Sequence, residues 1–303
     1  MLDSVSTWPA SLEKLRGTLG LWTMTLDALA PRKSAEIAAE IESLGYRALW
    51  IPEAWGREAF TNASLLLSST SSLVVATGIA NIWGRDAVTA ANGAKTLTAA
   101  FDDRFVLGLG VSHEPLVQRL RGHEYAAPLS VMEEFLLAMD KAPMFAEEGA
   151  TRVARVLAAL GPKMLGLAAT LTDGAHPYLV TPEHTRRARA ILGDKFLGVE
   201  QSVVLGQSRE EFLRRAHEHL AFYTGLVNYQ NSWRRLGFGD EDFVRGGSDR
   251  LCDAIVVHGD EEAVHASVQA HHDAGADHVC LQVLGHDRQA LPLEEWRRLA
   301  GRA

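Results

Sequence analysis

The segment Asp102-Asp103-Arg104-Phe105-Val106-Leu107-Gly108-Leu109-Gly110-Val111-Ser112-His113 decides the reading of this chain. Phe105 to Leu109 is a short apolar run of the kind buried on both faces in a parallel sheet. It breaks at Gly108 and Gly110, then presents a hydroxyl and an imidazole just before Glu114-Pro115, a helix start. Glycines at the C-terminal end of a strand let another molecule approach the backbone. Ligands of parallel α/β folds sit at that end. Ser112 and His113 are therefore expected to touch one.

Working outward, the same alternation of strand and helix recurs. Leu19 to Met24, Ala48 to Ile51 and Leu73 to Ala80 read as the strands before it. Val153 to Leu160, Pro177 to Val180, Val199 to Leu205 and His278 to Leu284 read as those after it. Between the first two, Ile37, Ile41 and Leu44 recur at helical spacing until Gly45 stops the helix. Residues 224–260 hold more helix than one repeat needs and are expected to be a helical insertion between strands seven and eight. Eight alternations predict an α/β fold, a (β/α)8 TIM barrel formed as a single domain over 1–303. An open doubly wound sheet is the alternative.

The 303 residues are 47% hydrophobic, enough for a large core, and the net charge is −8 with no basic block. That balance argues against a nucleic-acid partner. No apolar run approaches the ~18 residues of a membrane span, and the N-terminus lacks the regions of a signal peptide. Cys252 and Cys280 form no metal spacing, so a reducing cytoplasm is expected.

Several motifs compete at the strand ends. Gly108-x-Gly110 lacks the third glycine of a dinucleotide fingerprint, since His113 stands there. Gly110-Val111-Ser112-His113-Glu114 approaches a nucleophile elbow, but Glu114 replaces its last glycine. His217 and His219 lie two apart on a helix and diverge, as do His271 and His272, so no metal is expected and solvated faces are the reading. At Leu160-Gly161-Pro162-Lys163-Met164 a helix begins with free amides, a ready anion site to which Lys163 adds charge. The small-residue turn Gly174-Ala175 is expected beside it, so that the two turns hold one phosphate. Gly78, inside Thr77-Gly78-Ile79-Ala80-Asn81, marks a bulge or a close backbone approach. Trp22, Trp50, Trp55 and Trp83 near strand ends suggest a flat apolar pocket for a ring system, with Glu53 as the acid facing it. Glu53 reads equally as a surface carboxylate.

Together these residues resemble the luciferase-like flavin and deazaflavin oxidoreductases, which are (β/α)8 barrels. The resemblance runs from Leu19 to Leu284. It is carried by Leu49-Trp50-Ile51-Pro52-Glu53, Ala76-Thr77-Gly78-Ile79-Ala80-Asn81, the opening segment, Leu160-Gly161-Pro162-Lys163-Met164 and Ala274-Gly275-Ala276-Asp277-His278-Val279. The Thr-Gly-Ile-Ala-Asn and Gly-Val-Ser-His wording is most similar to the branch that uses coenzyme F420, a deazaflavin.

The resemblance implies that Gly78-Ile79 is a non-proline cis peptide backing the deazaflavin ring, in a stretch from Thr77 to Asn81 that lines the cofactor. It places Glu53 near the polar edge of the ring and Gly110, Val111 and Ser112 along the ring or its ribityl chain. Gly161, Lys163, Met164, Gly174 and Ala175 would hold the phosphate, and Trp22 and Trp83 would wall the substrate pocket. Many relatives carry a histidine after the strand-two acid, where this chain has Ala54. His113 is the substitute expected as general acid, and Glu53 is expected beside it as the other catalytic residue. The segment after Ala142 is shorter than in relatives, which would open one wall of the pocket. The implied activity is hydride transfer between coenzyme F420 and a small organic substrate by a homodimer. The alternatives are an FMN-dependent monooxygenase supplied with reduced flavin, and a non-catalytic flavin-binding subunit.

Overall fold

The computed structural model describes residues 8–145, 152–287 and 290–300. Eight parallel strands form a closed ring: β1 (Thr18–Trp22), β2 (Ala48–Ile51), β3 (Val74–Thr77), β4 (Phe105–Gly110), β5 (Ala154–Leu157), β6 (Gly174–Ala175), β7 (Phe196–Leu205) and β8 (His278–Val283). Each pairs with the next, and β8 pairs back to β1, so the sheet closes. With helices packed around it, this is the expected (β/α)8 barrel.

Period-two alternation sorts the strand residues into two shells. Leu49, Ile51, Val75, Leu107, Val199 and Leu281 face outward into the apolar layer shared with the helices. Ala48, Trp50, Val74, Ala76, Val106, Val156 and Cys280 point inward. Leu12, from the lead-in helix Ala10–Glu13, and Leu15, from the turn after it, join the inner cluster and are fully buried. Glycines make room for the large interior rings. A Cβ on Gly20 would lie 2.8 Å from His278 Nε2, and one on Gly198 would lie 3.5 Å from the Trp50 ring. Trp50 stacks on His176 with centroids 4.0 Å apart.

Three segments depart from the sequence reading. The sixth strand is Gly174–Ala175, not Pro177 to Val180. Pro177 still accepts a hydrogen bond from Glu200 N, but Leu179 turns to φ 56° and ends the extension, which an apolar run cannot reveal. The third strand stops at Thr77, the chain kinks through Gly78 and Ile79, and Ala80–Asn81 then pairs with β4 instead. Residues 224–260 contain helices Val227–Arg234 and Asp249–Ile255, but also the strand Val256–Gly259. That strand pairs with Ser202–Leu205 of β7, along the flank that two-residue β6 leaves uncovered. The expected loop after Ala142 is described only as far as Phe145. Among the described residues, no helix is long and apolar enough to cross a membrane.

Candidate functional site

The C-terminal ends of β2, β3 and β4 are fastened to one another by side chains that the sequence reading had placed against a ligand. The Gly78–Ile79 peptide is cis. Trp22 Nε1 donates to Gly78 O at 2.7 Å, while Gly78 N donates to Ile51 O at 2.7 Å. A Cβ on Gly78 would meet Trp22 Nε1 at 2.8 Å and His176 Nε2 at 3.1 Å, so only glycine fits between these rings. Thr77 is buried, and its hydroxyl donates to Gly108 O and accepts from Gly108 N. On Gly110 a Cβ would overlap the Ile79 side chain, at 2.4 Å from Cδ1, so the bare backbone of β4 serves as the bed for Ile79.

Glu53 leaves β2 into the same rim. Its Oε2 accepts from Asn81 N at 2.7 Å and Arg85 Nη1 at 3.0 Å, and Oε1 accepts from Arg85 Nη2 and Ala59 N. Its side chain is 5% exposed, so both oxygens are committed to the protein. Asn81 is likewise occupied, with its Oδ1 capping Trp83 N at 2.9 Å. Trp83 Nε1 donates to Val111 O at 3.0 Å, which sets the path of the chain as it leaves β4. Ser112 then adopts φ 56°, a left-handed turn uncommon for serine, and swings the backbone into helix Glu114–Arg121.

His113 caps that helix by position, without a side-chain bond. Its ring lies 5.8 Å from those of Phe222 and Tyr229. Burial pushes its pKa down to about 4, so the ring is neutral near pH 7. A neutral imidazole is a poorer proton donor than the imidazolium.

At the expected phosphate site, Gly161 is the N-cap of helix Pro162–Leu171, which directs its free amides outward. Lys163 is exposed there, and Met164 packs its side chain onto the outer shell of the barrel. A second cation joins them: Arg235, whose Nη2 donates to Leu160 O at 3.3 Å and lies 3.5 Å from where a Cβ on Gly161 would be. Neither Lys163 nor Arg235 has an acidic partner among the described residues. The neighbouring turn expected at Gly174 and Ala175 is absent, because both are buried residues of β6. A Cβ on Gly174 would stand 1.9 Å from Phe196 O, so this glycine lets two strands meet.

The luciferase-like monooxygenase family model matches residues 18–278. The chain belongs to that family. A Mycobacterium tuberculosis protein assigned by name to the coenzyme F420-dependent oxidoreductases is 25% identical over 325 residues, spanning 86% of this chain and 92% of that protein. The structure of coenzyme F420-dependent tetrahydromethanopterin reductase from Methanopyrus kandleri superposes with a TM-score of 0.70 at 15% identity, covering 94% of this chain and 97% of that one. The oxygenating constituent of 3,6-diketocamphane monooxygenase from Pseudomonas putida, in complex with FMN, gives a TM-score of 0.68 at 14% identity over 93% and 95% of the two chains.

In this luciferase-like barrel the cavity at the strand ends is bounded by groups the sequence reading missed. Thr23 and Met24 line it after β1, Gln282 from β8, and His219, Phe222 and Tyr223 from helix Arg209–Leu220 and the turn after it. Of the tryptophans, Trp55 contributes to the lining, whereas Trp22 is buried beside Gly78 and Trp50 lies inside the barrel. Tyr178 OH donates to Gln282 Oε1 at 2.6 Å and accepts from Tyr223 OH at 3.3 Å. Burial and the surrounding acids raise the Tyr178 pKa well above its usual value, which keeps this hydroxyl a donor.

Of the histidines read as solvated faces, His271 lies in the interior, whereas His217, His219 and His272 are partly buried. His271 is fully buried between Thr185 Oγ1 and Gln201 Oε1, and His272 Nδ1 meets Ala276 O at 3.0 Å. His217 meets Gly246 O at 3.1 Å, and His219 meets Ser202 Oγ at 3.1 Å. The divergence of His217 from His219 was legible in their spacing; the polar partners inside a barrel strand were not.

Proposed function

We propose that this protein is an oxidoreductase that moves a hydride between coenzyme F420 and a small organic substrate. The observation that carries the reading is the pair of cations without acidic partners, Lys163 and Arg235, at a glycine-started helix beside the barrel rim. A phosphate fits there by the chemistry of the donors: free amides, a helix N-terminus and two positive charges. Similarity to the F420-named mycobacterial relative over most of both chains favours the deazaflavin over FMN.

When bound, the coenzyme supplies a two-electron carbon centre, C5 of its ring, that accepts or returns a hydride. The protein contributes placement. Gly161, Lys163, the Met164 amide and Arg235 hold the anionic end, while Ile79, seated on Gly110, offers an apolar surface beside Val111 and Ser112. Trp22 and Thr77 fix the rim beneath it, and Glu53 acts through Arg85 and Asn81 as a brace. His113, Phe222 and Tyr229 exclude water from the substrate side. The substrate is a small molecule, bound by a single-domain barrel that assembles as a homodimer in the cytoplasm.

FMN is the second reading, supported by the FMN-bound Pseudomonas barrel of the same fold. Fluorescence and absorbance titration of the purified protein with each cofactor tests the choice. Saturable binding of coenzyme F420, with FMN at least ten-fold weaker, is expected. Tight FMN binding without F420 binding overturns the proposal. Tight F420 binding with no turnover of any alcohol, carbonyl or imine favours the non-catalytic subunit instead.

A further inference from the structure

β7 carries two polar side chains, Glu200 and Ser202, on the same face, because residues two apart on a strand point the same way. Both are fully buried. Glu200 Oε2 accepts from Leu179 N at 3.0 Å, and Oε1 accepts from the Ser202 hydroxyl at 2.7 Å. Ser202 Oγ lies 3.1 Å from His219 Nε2. His219 in turn lines the cavity at the strand ends together with Tyr223 and Gln282. A continuous chain of three exchangeable groups therefore joins the barrel interior to that cavity.

The serine sets the direction of the chain. A hydroxyl has one proton to give and lone pairs to receive. While Ser202 donates to the Glu200 carboxylate, its oxygen accepts from Nε2–H, which fixes the proton of neutral His219 on Nε2 and makes Nδ1 the basic atom. If Nδ1 gains a proton, Nε2 can pass its own to Ser202 as the serine proton moves to Glu200. His113 has no such onward route, because its ring makes no hydrogen bond among the described residues.

We propose that Glu200, Ser202 and His219 form a proton relay in which His219 exchanges a proton with the substrate and Glu200 stores it. This rests on the hydride-transfer reading for the identity of the reaction. For an alcohol substrate, the carbinol C–H pair leaves as hydride to the oxidised deazaflavin. The C=O bond forms as the O–H bond breaks, and that proton passes to Nδ1 of His219. One proton then moves from Nε2 to Ser202 and one from Ser202 to Glu200. Carbonyl reduction runs the same sequence backwards. His219 is the catalytic residue; Ser202 and Glu200 position and recharge it.

The surroundings suit a store that fills and empties near neutrality. Burial raises the Glu200 carboxyl to about 7, against the lowering pull of its two hydrogen bonds. Titratable groups that feel its charge include Tyr178 beyond β6, Tyr229 from Val227–Arg234 and Cys280 from β8, each kept protonated by burial. A purely structural Glu200 would need only its bond to Leu179 N, which holds a left-handed residue in place.

Nitrogen-15 NMR of the imidazoles in the cofactor-free protein, from pH 5 to 9, tests the chain directly. The Nε2–H tautomer of His219 is expected in the wild type at the alkaline end of that range, where Glu200 is ionised, with a shift towards Nδ1–H as Glu200 takes up its proton near pH 7. In Glu200→Gln its proton affinity should fall about ten-fold, as expected on losing a nearby carboxylate, and Ser202→Ala should mix the tautomers. Unchanged tautomer and affinity in both variants overturn the relay. With coenzyme F420 and a panel of secondary alcohols, His219→Gln should lower kcat about 10²-fold or more, with KM and F420 affinity nearly constant. Glu200→Gln should remove the limb of the kcat–pH profile near pH 7. A wild-type profile in Glu200→Gln also overturns the proposal. Failure of the wild type to bind F420 defeats the cofactor reading alone, and the NMR result then decides the relay.

Discussion

Glu53 and Arg85 form an ion pair inside the barrel rim, with 5% and 7% of their side chains exposed. Arg85 extends from the segment after β3, covers the Phe60 ring at 4.5 Å, and reaches Glu58 as well. Glu53 also gathers the amides of Asn81 and Ala59. A buried pair stabilises less than its Coulomb attraction suggests, yet removing one partner strands the other charge. Arg85→Ala is therefore expected to cost about 3 kcal/mol of unfolding free energy. Glu53→Gln keeps an acceptor for the two amides and should cost roughly half of that. Urea denaturation of both variants checks the order; equal, sub-kilocalorie losses would show the pair to be solvent-screened.

Thr77 and Gly108 give a sharper test of the rim. One hydroxyl satisfies both the amide and the carbonyl of a buried glycine. Thr77→Val keeps the shape and removes both bonds, leaving two buried backbone groups unsatisfied, at a cost of about 2–4 kcal/mol. Gly108→Ala should be worse, because its Cβ would stand 1.9 Å from Thr77 O, a backbone atom that cannot step aside. Recovery of soluble, cooperatively unfolding Gly108→Ala protein would contradict the packing described for β3 and β4.

The barrel was legible where its strands are continuous apolar runs ended by proline or glycine, as at Ala48–Ile51 and Phe105–Gly110. It was illegible at β6, whose two residues are too short to carry a period. The rim residues were found because small residues at strand ends are conspicuous, but their partners were not. Thr77, Asn81 and Glu53 look like ligand contacts in sequence, and the structure adds the bonds that tie them to β4 and to the segment after β3. Glu200, Ser202 and Gln282 escaped notice for the opposite reason. Val199 to Leu205 and His278 to Leu284 read only as strands, and nothing in either run marks which of its side chains a closed barrel turns inward. Arg235 lies seventy-odd residues from Gly161 and carries no local pattern that would join the two.

The anion site makes a prediction about salt. Lys163→Ala and Arg235→Ala should each weaken coenzyme F420 binding by about ten-fold at low ionic strength, the effect of losing one charged contact. The double variant should bind with less salt dependence than the wild type, since screening acts on the charges removed. Isothermal titration at several salt concentrations measures both. Undiminished affinity in the double variant would move the phosphate away from Gly161.

Buried titratable groups pull the stability of this protein in two directions as pH changes. Burial lowers the pKa of His176 and His271 to about 4 and of His278 to about 3. Their unfolded forms take up protons first, so the folded state loses stability as pH falls from about 6.5 towards 4. Glu200 acts oppositely. Its folded pKa, raised to about 7, means that the folded state keeps a proton the unfolded chain releases above about 4.5. That contribution is fully present below about pH 4.5 and is lost as pH rises through about 7. Glu200→Gln cannot ionise and should escape the loss. Relative to wild type, it should therefore gain up to about 3 kcal/mol on going from pH 4.5 to pH 8. Guanidinium unfolding of both proteins across that range gives the difference; parallel stability curves would mean that burial does not raise the Glu200 carboxyl on folding.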